Sequence, residues 1–397
     1  MDDSAQRLLL HERLLLAARF SQAAYGIVSD VSKRQYGLDK AKWQELGKLP
    51  KEQRAPHATS AIGPTGSTVS TALSRTLDDG NIGIVHAVVS ILEAEDAELV
   101  GHFRNSMNGA ASIWLLPARK MVLLAWKGSQ SAGDYVQDGK IARHEWVPNK
   151  RSEPSPSGLQ GLGARWSFAR VLNFRDVAIG GIPLPVPCFD DMEANCYMIH
   201  RGFLEQYEHS ATDGDGGVGE SVNCAVGALL QDHPGFGLLV TGHSLGGALA
   251  HLSAFELASS HPAVACHLIT FGCPRVGNAR FAGALDMLPS LTTHRVQNML
   301  DPICHGPSVG YRHAGLHVWL RDDEIDLLVA STLGDAHCPR AGLGKLNVSG
   351  GKFHTLAGPS GYLEQLEQKA AFNRLPPSMR TGLLEGRAHG TAAPEVL

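Results

Sequence analysis

The stretch that decides the fold is Leu238-Leu239-Val240-Thr241-Gly242-His243-Ser244-Leu245-Gly246-Gly247-Ala248-Leu249-Ala250. Its first residues are apolar and predict a buried strand, whereas the residues after Ser244 are rich in Ala and Leu and predict a helix. A serine in a Gly-x-Ser-x-Gly turn between a strand and a helix is in the setting of a nucleophile. In such a strained turn, a Cβ at Gly242 or Gly246 would clash. We therefore predict that Ser244 is catalytic.

Length and composition narrow the class of protein. The 397 residues could form two ordinary domains or one large α/β domain with insertions. Hydrophobic residues make up 43% of the chain, which is ample for a sizeable core, and the formal net charge is −4. This balance lacks the basic surface of a nucleic-acid-binding protein, and no apolar run is long enough to span a bilayer. We expect neither a nucleic-acid partner nor a transmembrane segment.

The start of the chain and its cysteines bear on the compartment. Met1-Asp2-Asp3-Ser4 lacks the charged and apolar regions of a secretory signal. The seven cysteines form no Cys-x-x-Cys pair, which favours buried reduced thiols. These features predict a cytoplasmic protein. The alternative is a secreted protein whose signal peptide was removed or whose export does not need a signal peptide.

Several further segments have recognisable patterns. Residues 5–25 predict a helix that packs on the domain's own core, with a membrane-surface helix as the alternative. Residues 111–116 and 121–126 predict a β-hairpin. The Pro/Ser/Gly-rich residues 146–163 predict a loop, and the Pro- and Gly-containing segment 178–190 an irregular connection.

A serine hydroxyl needs a base, and the base needs an orienting carboxylate. In α/β-hydrolase folds these follow the nucleophile in the order acid, then histidine. Asp301 follows a predicted strand and precedes Pro302, so it lies at the carboxyl end of that strand, where open α/β sheets build their sites. We predict that Asp301 is the acid; the alternative is an ordinary Asp-Pro turn.

Several segments in the same order resemble the class 3 lipase family, the fungal triacylglycerol lipase type of the α/β-hydrolase superfamily. These are residues 17–25, 200–204, 242–250, 270–278, 301–303 and 310–320. The resemblance is dense over 196–320 and patchier over 1–135. It implies an α/β-hydrolase fold over residues 1–375, with a central, mostly parallel sheet flanked by helices. It also implies a lid-like insertion at about 134–195. The polar, Gly/Pro/Ala-rich composition after about residue 375 predicts a flexible tail at 376–397.

The resemblance also guides the choice of base. Five histidines follow Asp301 and are candidates: His305, His313, His317, His337 and His354. The family's catalytic histidine lies in a loop before the last helix, as His354 does, and the family has no catalytic residue in the segment of His313 and His317. Phe353 stands where an aspartate is common, so His337, which follows Asp335-Ala336, stays open as an alternative.

Two groups are expected to stabilise the oxyanion. One is the backbone N–H of Leu245, directly after the nucleophile. The other is Ser129, because Trp126-Lys127-Gly128-Ser129 resembles the family's Phe-Arg-Gly-Ser/Thr segment. A plain turn residue is the alternative for Ser129. Lys127 replaces the family's arginine, which puts a structural salt link in doubt.

The span between Ser129 and Ser244 is about twice what a compact family member needs, and the extra residues fill about 139–195. They mix charged, Pro-rich and apolar stretches. An amphipathic lid that covers an apolar site until lipid arrives is one interpretation. A structural insertion that shields sheet edges is the other.

Together these features predict a serine carboxylic-ester hydrolase that works through an acyl-enzyme. The resemblance implies that it is a lipase of lipid metabolism that cleaves acyl-glycerols and touches lipid interfaces transiently. Phospholipase A1 and a soluble-ester, feruloyl-type esterase are alternatives on the same scaffold. A catalytically silent, lipase-like binding protein is a remote alternative. We expect no cofactor and no metal, since the chain has no His-Glu-x-x-His motif.

Overall fold

The computed structural model describes twelve segments of the chain. They are residues 3–28, 95–107, 109–129, 143–148, 173–179, 182–188, 196–209, 217–298, 301–320, 328–333, 354–356 and 361–373. Most of the predicted lid-like insertion, His337 and the predicted tail at 376–397 lie outside these segments.

Twelve strands are described. They are β1 (Glu98–Arg104), β2 (Ala110–Leu116), β3 (Met121–Trp126), β4 (Arg143–Trp146), β5 (Asn173–Ile179), β6 (Ile182–Cys188), β7 (Tyr197–His200), β8 (Gly237–His243), β9 (Cys266–Phe271), β10 (Leu291–Asn298), β11 (Leu316–Leu320) and β12 (Leu328–Leu333). Six helices accompany them: α1 (Asp3–Val28), α2 (Arg201–Glu208), α3 (Val218–Asp232), α4 (Leu245–Ser260), α5 (Ala279–Asp286) and α6 (Tyr362–Asn373).

The central sheet has eight strands in the order β1-β2-β3-β8-β9-β10-β11-β12. The five strands from β3 to β11 in this order run parallel to one another. The pairs β1–β2, β2–β3 and β11–β12 are antiparallel. This is the mostly parallel sheet of the predicted α/β-hydrolase fold, and that prediction is confirmed.

Helices cover both faces of the sheet. Side chains of α2, α3, α4 and α5 form one apolar core with one face of the sheet, and those of α1 and α6 form the other core with the opposite face. Since both faces are covered, β2 and β3 are apolar along nearly their whole length rather than alternating. These two strands form the predicted hairpin, and its side chains are almost all buried.

Helix α1 confirms the prediction for residues 5–25. Leu14, Leu16 and Phe20 are buried, and the Phe20 ring meets Trp114 of β2 edge to face at 5.2 Å. The helix therefore packs on the domain's own core. None of the described helices is long and apolar enough to cross a bilayer.

Two loop predictions were wrong in part. Trp146 ends strand β4 and is buried, where its ring packs against Phe255 and Phe281 at 5.6 and 5.8 Å. Residues 182–188 form β6, which pairs with β5, although this strand contains three prolines. The prolines alternate with other residues, so the N–H groups that they lack would all point to the same edge of the two-stranded sheet. At that edge their absence removes no hydrogen bond between β5 and β6.

Candidate active site

The turn that is predicted to carry the nucleophile, called the nucleophile turn below, joins β8 to α4 and has the strained geometry that the glycines predicted. Ser244 has φ 57° and ψ −126°, and its backbone N–H donates to the carbonyl of Phe271 at 2.9 Å. A Cβ on Gly242 would overlap the backbone of Gly246, and a Cβ on Gly246 would overlap the carbonyl of Trp126. Only glycine fits at either position. The turn therefore holds Ser244 at the start of α4.

Ser244, His354 and Asp301 lie in one hydrogen-bonded row. The Ser244 Oγ is 2.9 Å from His354 Nε2, and His354 Nδ1 is 2.8 Å from Asp301 Oδ2. All three side chains are buried. Because a carboxylate can only accept, His354 Nδ1 carries the proton toward Asp301, and Nε2 is left to accept the proton of Ser244. In this row a serine can be deprotonated as it attacks.

Asp301 is held by more than the histidine. Its Oδ1 accepts the backbone N–H of Ile303 at 2.9 Å, and its Oδ2 also accepts the hydroxyl of Tyr362 at 2.5 Å. Burial, and then the charge of Asp301, raise the pKa of Tyr362 well above its ordinary value, so this hydroxyl stays a donor. Sequence analysis missed Tyr362. Its position as the first residue of α6, the last of the described helices, was the available signal.

The other candidate histidines are engaged elsewhere. His313 Nε2 lies 2.8 Å from the carbonyl of Cys304. His305 belongs to a short 3₁₀ turn after Asp301, and its Nε2 is 3.4 Å from Gln297. His317 is buried on β11 with its ring against Trp319. His337 lies outside the described residues.

The two expected oxyanion donors belong to the start of α4 and to the loop after β3. Leu245 is the first residue of α4, and N–H groups in the first turn of a helix have no acceptor within the helix. Ser129 is half-buried and follows Gly128, where a Cβ would be 2.5 Å from the carbonyl of His243. The loop after β3 thus runs directly beside the nucleophile turn.

Lys127 occupies the position of the family's arginine. Its side chain is almost fully buried, and burial lowers its pKa to about 8. Within the described part of the chain, no carboxylate forms an ion pair with it.

Gly272, at the end of β9, lies against the Asp301–His354 pair. It has φ +56°, and a Cβ there would be 2.6 Å from Asp301 Oδ2 and 3.0 Å from His354 Nδ1. We predict that Gly272→Ala lowers kcat by about 100-fold, because the methyl group would separate these atoms and a shift of about 1 Å has this cost. The measurement is kcat for a p-nitrophenyl ester.

Gly235 provides the matched control for that variant. It also has a positive φ, of +85°, but a Cβ there would meet nothing within 4 Å. Gly235→Ala should therefore carry the same backbone cost of about 1 kcal/mol and keep the parent's kcat. Equal loss of activity in both variants would refute a specific role for Gly272.

Among the described residues, no group of three or more His, Cys, Asp or Glu side chains is arranged to hold a metal ion.

Comparison with known proteins gives one family. Residues 123–311 match the model of the class 3 lipase family. A secreted mono- and diacylglycerol lipase of Fusarium solani is 36% identical over 34% of this chain and 38% of its own length. A phospholipase A1-II of Oryza sativa is 32% identical over 31% of this chain and 33% of its own length. A lipase of Rhizopus oryzae is 31% identical over 34% of this chain and 33% of its own length.

These matches span little more than a third of the curated relatives' length. Among solved structures, a Rhizomucor miehei lipase–propeptide complex has a TM-score of 0.46 at 19% identity, covering 77% of this chain and 78% of that chain. The Fusarium relative is named as secreted. The comparisons therefore give no support to the cytoplasmic location predicted from the sequence.

Proposed function

We propose that the chain, whose residues 123–311 match the class 3 lipase family model, is a serine carboxylic-ester hydrolase of that family that cleaves acyl-glycerols. The observation that carries the proposal is the row of hydrogen bonds from Ser244 through His354 to Asp301. We assign these three residues as nucleophile, base and orienting acid. We assign Leu245 and Ser129 as the oxyanion donors.

In the proposed first step, Ser244 Oγ attacks the ester carbonyl carbon while its proton passes to His354 Nε2. Asp301 stays ionised and stabilises the imidazolium. The carbonyl oxygen takes up the negative charge and accepts hydrogen bonds from Leu245 and Ser129. When the intermediate collapses, the bond to the alcohol breaks and His354 returns its proton to that oxygen.

The second step removes the acyl group from Ser244. A water molecule gives a proton to His354 and attacks the acyl-enzyme carbonyl, and the same donors stabilise the oxyanion. Collapse releases the fatty acid and returns the proton to Ser244 Oγ. The enzyme is regenerated, and every proton movement passes through His354 Nε2.

The substrate class rests on the relatives' names. A lipase acting on mono- and diacylglycerols and lipases of Rhizopus favour acyl-glycerols. The rice relatives named phospholipase A1-II keep phospholipid as a second candidate. A silent binding protein is disfavoured, because such a protein has no need for a buried serine, histidine and carboxylate in hydrogen-bonding order.

The proposal is tested by labelling and by a substrate panel. A fluorophosphonate probe should label the parent at Ser244. Hydrolysis rates are then compared for a chain-length series of p-nitrophenyl esters, for di- and triacylglycerol emulsions, for phosphatidylcholine and for a feruloyl ester. Fastest turnover of acyl-glycerols supports the lipase, whereas a preference for phosphatidylcholine or the feruloyl ester would replace it with the corresponding alternative. Absence of labelling would reject a hydrolase.

We further propose that residues 139–195 contain a lid that responds to a lipid interface. The support is the mixture of apolar, charged and Pro-rich stretches between the oxyanion loop and β7. A cover of this kind hides apolar surface in water and moves when lipid offers that surface a better environment. We also propose that the lipid interface is a transient binding partner of the protein. One relative is named as secreted, which is compatible with an encounter with lipid outside the cell.

A shortened variant tests the lid. Replacing residues 149–163 by a short Gly/Ser linker should raise kcat/KM on small soluble esters, because a gate is removed, and should weaken the rise in activity above the solubility limit of an emulsified ester. The replacement begins after β4, because Trp146 is part of the core. Unchanged rates on both substrates in a folded variant would make the insertion structural.

A further inference from the structure

His243, the residue before the nucleophile, contacts both His354 and helix α1. Its Nε2 is 2.6 Å from the backbone carbonyl oxygen of His354, and its Nδ1 is 2.7 Å from the hydroxyl of Tyr25. The His243 and His354 ring centroids are 4.5 Å apart. Both His243 and Tyr25 are buried. The mechanism above uses neither residue.

The chemistry of the partners fixes the direction of both hydrogen bonds. A carbonyl oxygen can only accept, so His243 Nε2 carries the proton. Burial, and then the neighbouring His354, hold the pKa of His243 well below its ordinary value, so the ring is neutral and Nδ1 is an acceptor. The Tyr25 hydroxyl therefore donates to Nδ1, and Nε2–H donates to His354. A neutral His243 also avoids placing two cationic rings together when His354 takes the serine proton.

This arrangement ties the base to the nucleophile through the backbone. His243 and Ser244 are joined by one peptide bond, so the hydrogen bond to the His354 carbonyl fixes the main chain of the base relative to the serine. On the other side, the carbonyls of Thr355 and Leu356 accept N–H groups at the start of α6. The base is thus anchored from both the nucleophile turn and the last helix.

Tyr25 extends the same contact to the oxyanion loop. A Cβ on Gly128 would overlap the Tyr25 hydroxyl, so this hydroxyl lies directly against the loop that carries Ser129. Helix α1 is itself fixed to β8, where Ser21 Oγ and Thr241 Oγ1 are 2.8 Å apart. One side chain of the N-terminal helix therefore touches both the support of the base and the oxyanion loop.

We propose that Tyr25 and His243 form a positioning relay, meaning two consecutive hydrogen bonds that hold the backbone of His354 at a fixed position relative to Ser244. The relay rests on the proposed function, in which His354 is the base. Helix α1 thereby has a role in positioning the reacting residues, although it lies outside the region that matches the family model. Neither residue touches the substrate, so both are positioning residues.

Three variants and one control test the relay. Tyr25→Phe removes one net hydrogen bond and should lower kcat about 5- to 10-fold. His243→Leu also leaves a buried carbonyl without its donor and should lower kcat about 100-fold. His243→Gln keeps an N–H at a similar reach and should recover kcat to within about 5-fold of the parent. KM for a soluble ester should change little in all three.

Ser21→Ala is the matched control. It removes a buried hydrogen bond between α1 and β8, but it does not touch His243. Its Tm should fall about as much as that of Tyr25→Phe, while its kcat stays at the parent's value. If Ser21→Ala and Tyr25→Phe lose activity equally, or if His243→Gln is no better than His243→Leu, the relay is wrong and the contacts only stabilise the fold.

A measurement on the resting protein separates failure of the relay from failure of the proposed function. The proton shared by His354 Nδ1 and Asp301 should give a downfield NMR signal that His354→Gln removes. In Tyr25→Phe and His243→Leu this proton should exchange with water faster than in the parent and in Ser21→Ala. Parent-like exchange in both relay variants would overturn the relay, and this result does not depend on whether the protein hydrolyses esters.

Discussion

Ser244→Ala is expected to lower kcat by about 10⁴-fold or more, because the nucleophile is lost while the rest of the site stays in place. At a φ of 57°, alanine and serine have a similar backbone conformational free energy. The variant should therefore fold as the parent does. The measurement is kcat for a p-nitrophenyl ester, together with fluorophosphonate labelling and Tm. Labelling should disappear with turnover.

Ser259→Ala is the control for this variant. Ser259 lies on the same helix, α4, and its hydroxyl donates to the carbonyl of Phe255 within that helix. It should keep the parent's kcat and labelling. Residual activity of Ser244→Ala within tenfold of the parent, at unchanged Tm, would remove Ser244 from the role of nucleophile.

The parts of the fold that sequence analysis predicted depend on local patterns. The turn at Ser244 needs glycine at positions 242 and 246, and the close packing of β8, α4 and β3 shows why. The hairpin of β2 and β3 follows from two apolar runs and a short connection. Asp301 could be located because it lies three positions after β10, a strand of the parallel part of the sheet. Each of these signals lies within a few residues of the feature it predicts.

What sequence analysis missed depends on contacts between distant parts of the chain. Trp146 looks like the start of a Pro-rich loop, but it meets Phe255 and Phe281, which lie more than a hundred positions later. The hydroxyl of Tyr362 reaches Asp301 across 61 positions, and that of Tyr25 reaches His243 across 218. No local sequence pattern indicates contacts between residues that lie so far apart in the chain. The choice of His354 also needed the family resemblance, and His337 stayed open because Phe353 departs from the family's common Asp-His pair.

The choice of base gives the second large expected effect. His354→Ala should lower kcat about as much as Ser244→Ala, by about 10⁴-fold, because the serine loses the only ring nitrogen that the described residues place within hydrogen-bond distance of its Oγ. Asp301 would keep its bonds to Tyr362 and Ile303, so the acid should stay in position. The measurement is kcat for a p-nitrophenyl ester, with Tm as the test of folding.

His337→Ala and a double variant complete this experiment. If His354 is the base, His337→Ala should keep most of the parent's kcat. Combining Ser244→Ala with His354→Ala should then be no worse than either change alone, since members of a triad act as a unit and their effects do not multiply. The reverse pattern, with His337→Ala inactive and His354→Ala active, would transfer the role to His337. Multiplying losses in the double variant would mean that Ser244 and His354 act in separate steps, which the 2.9 Å contact between Oγ and Nε2 leads us not to expect.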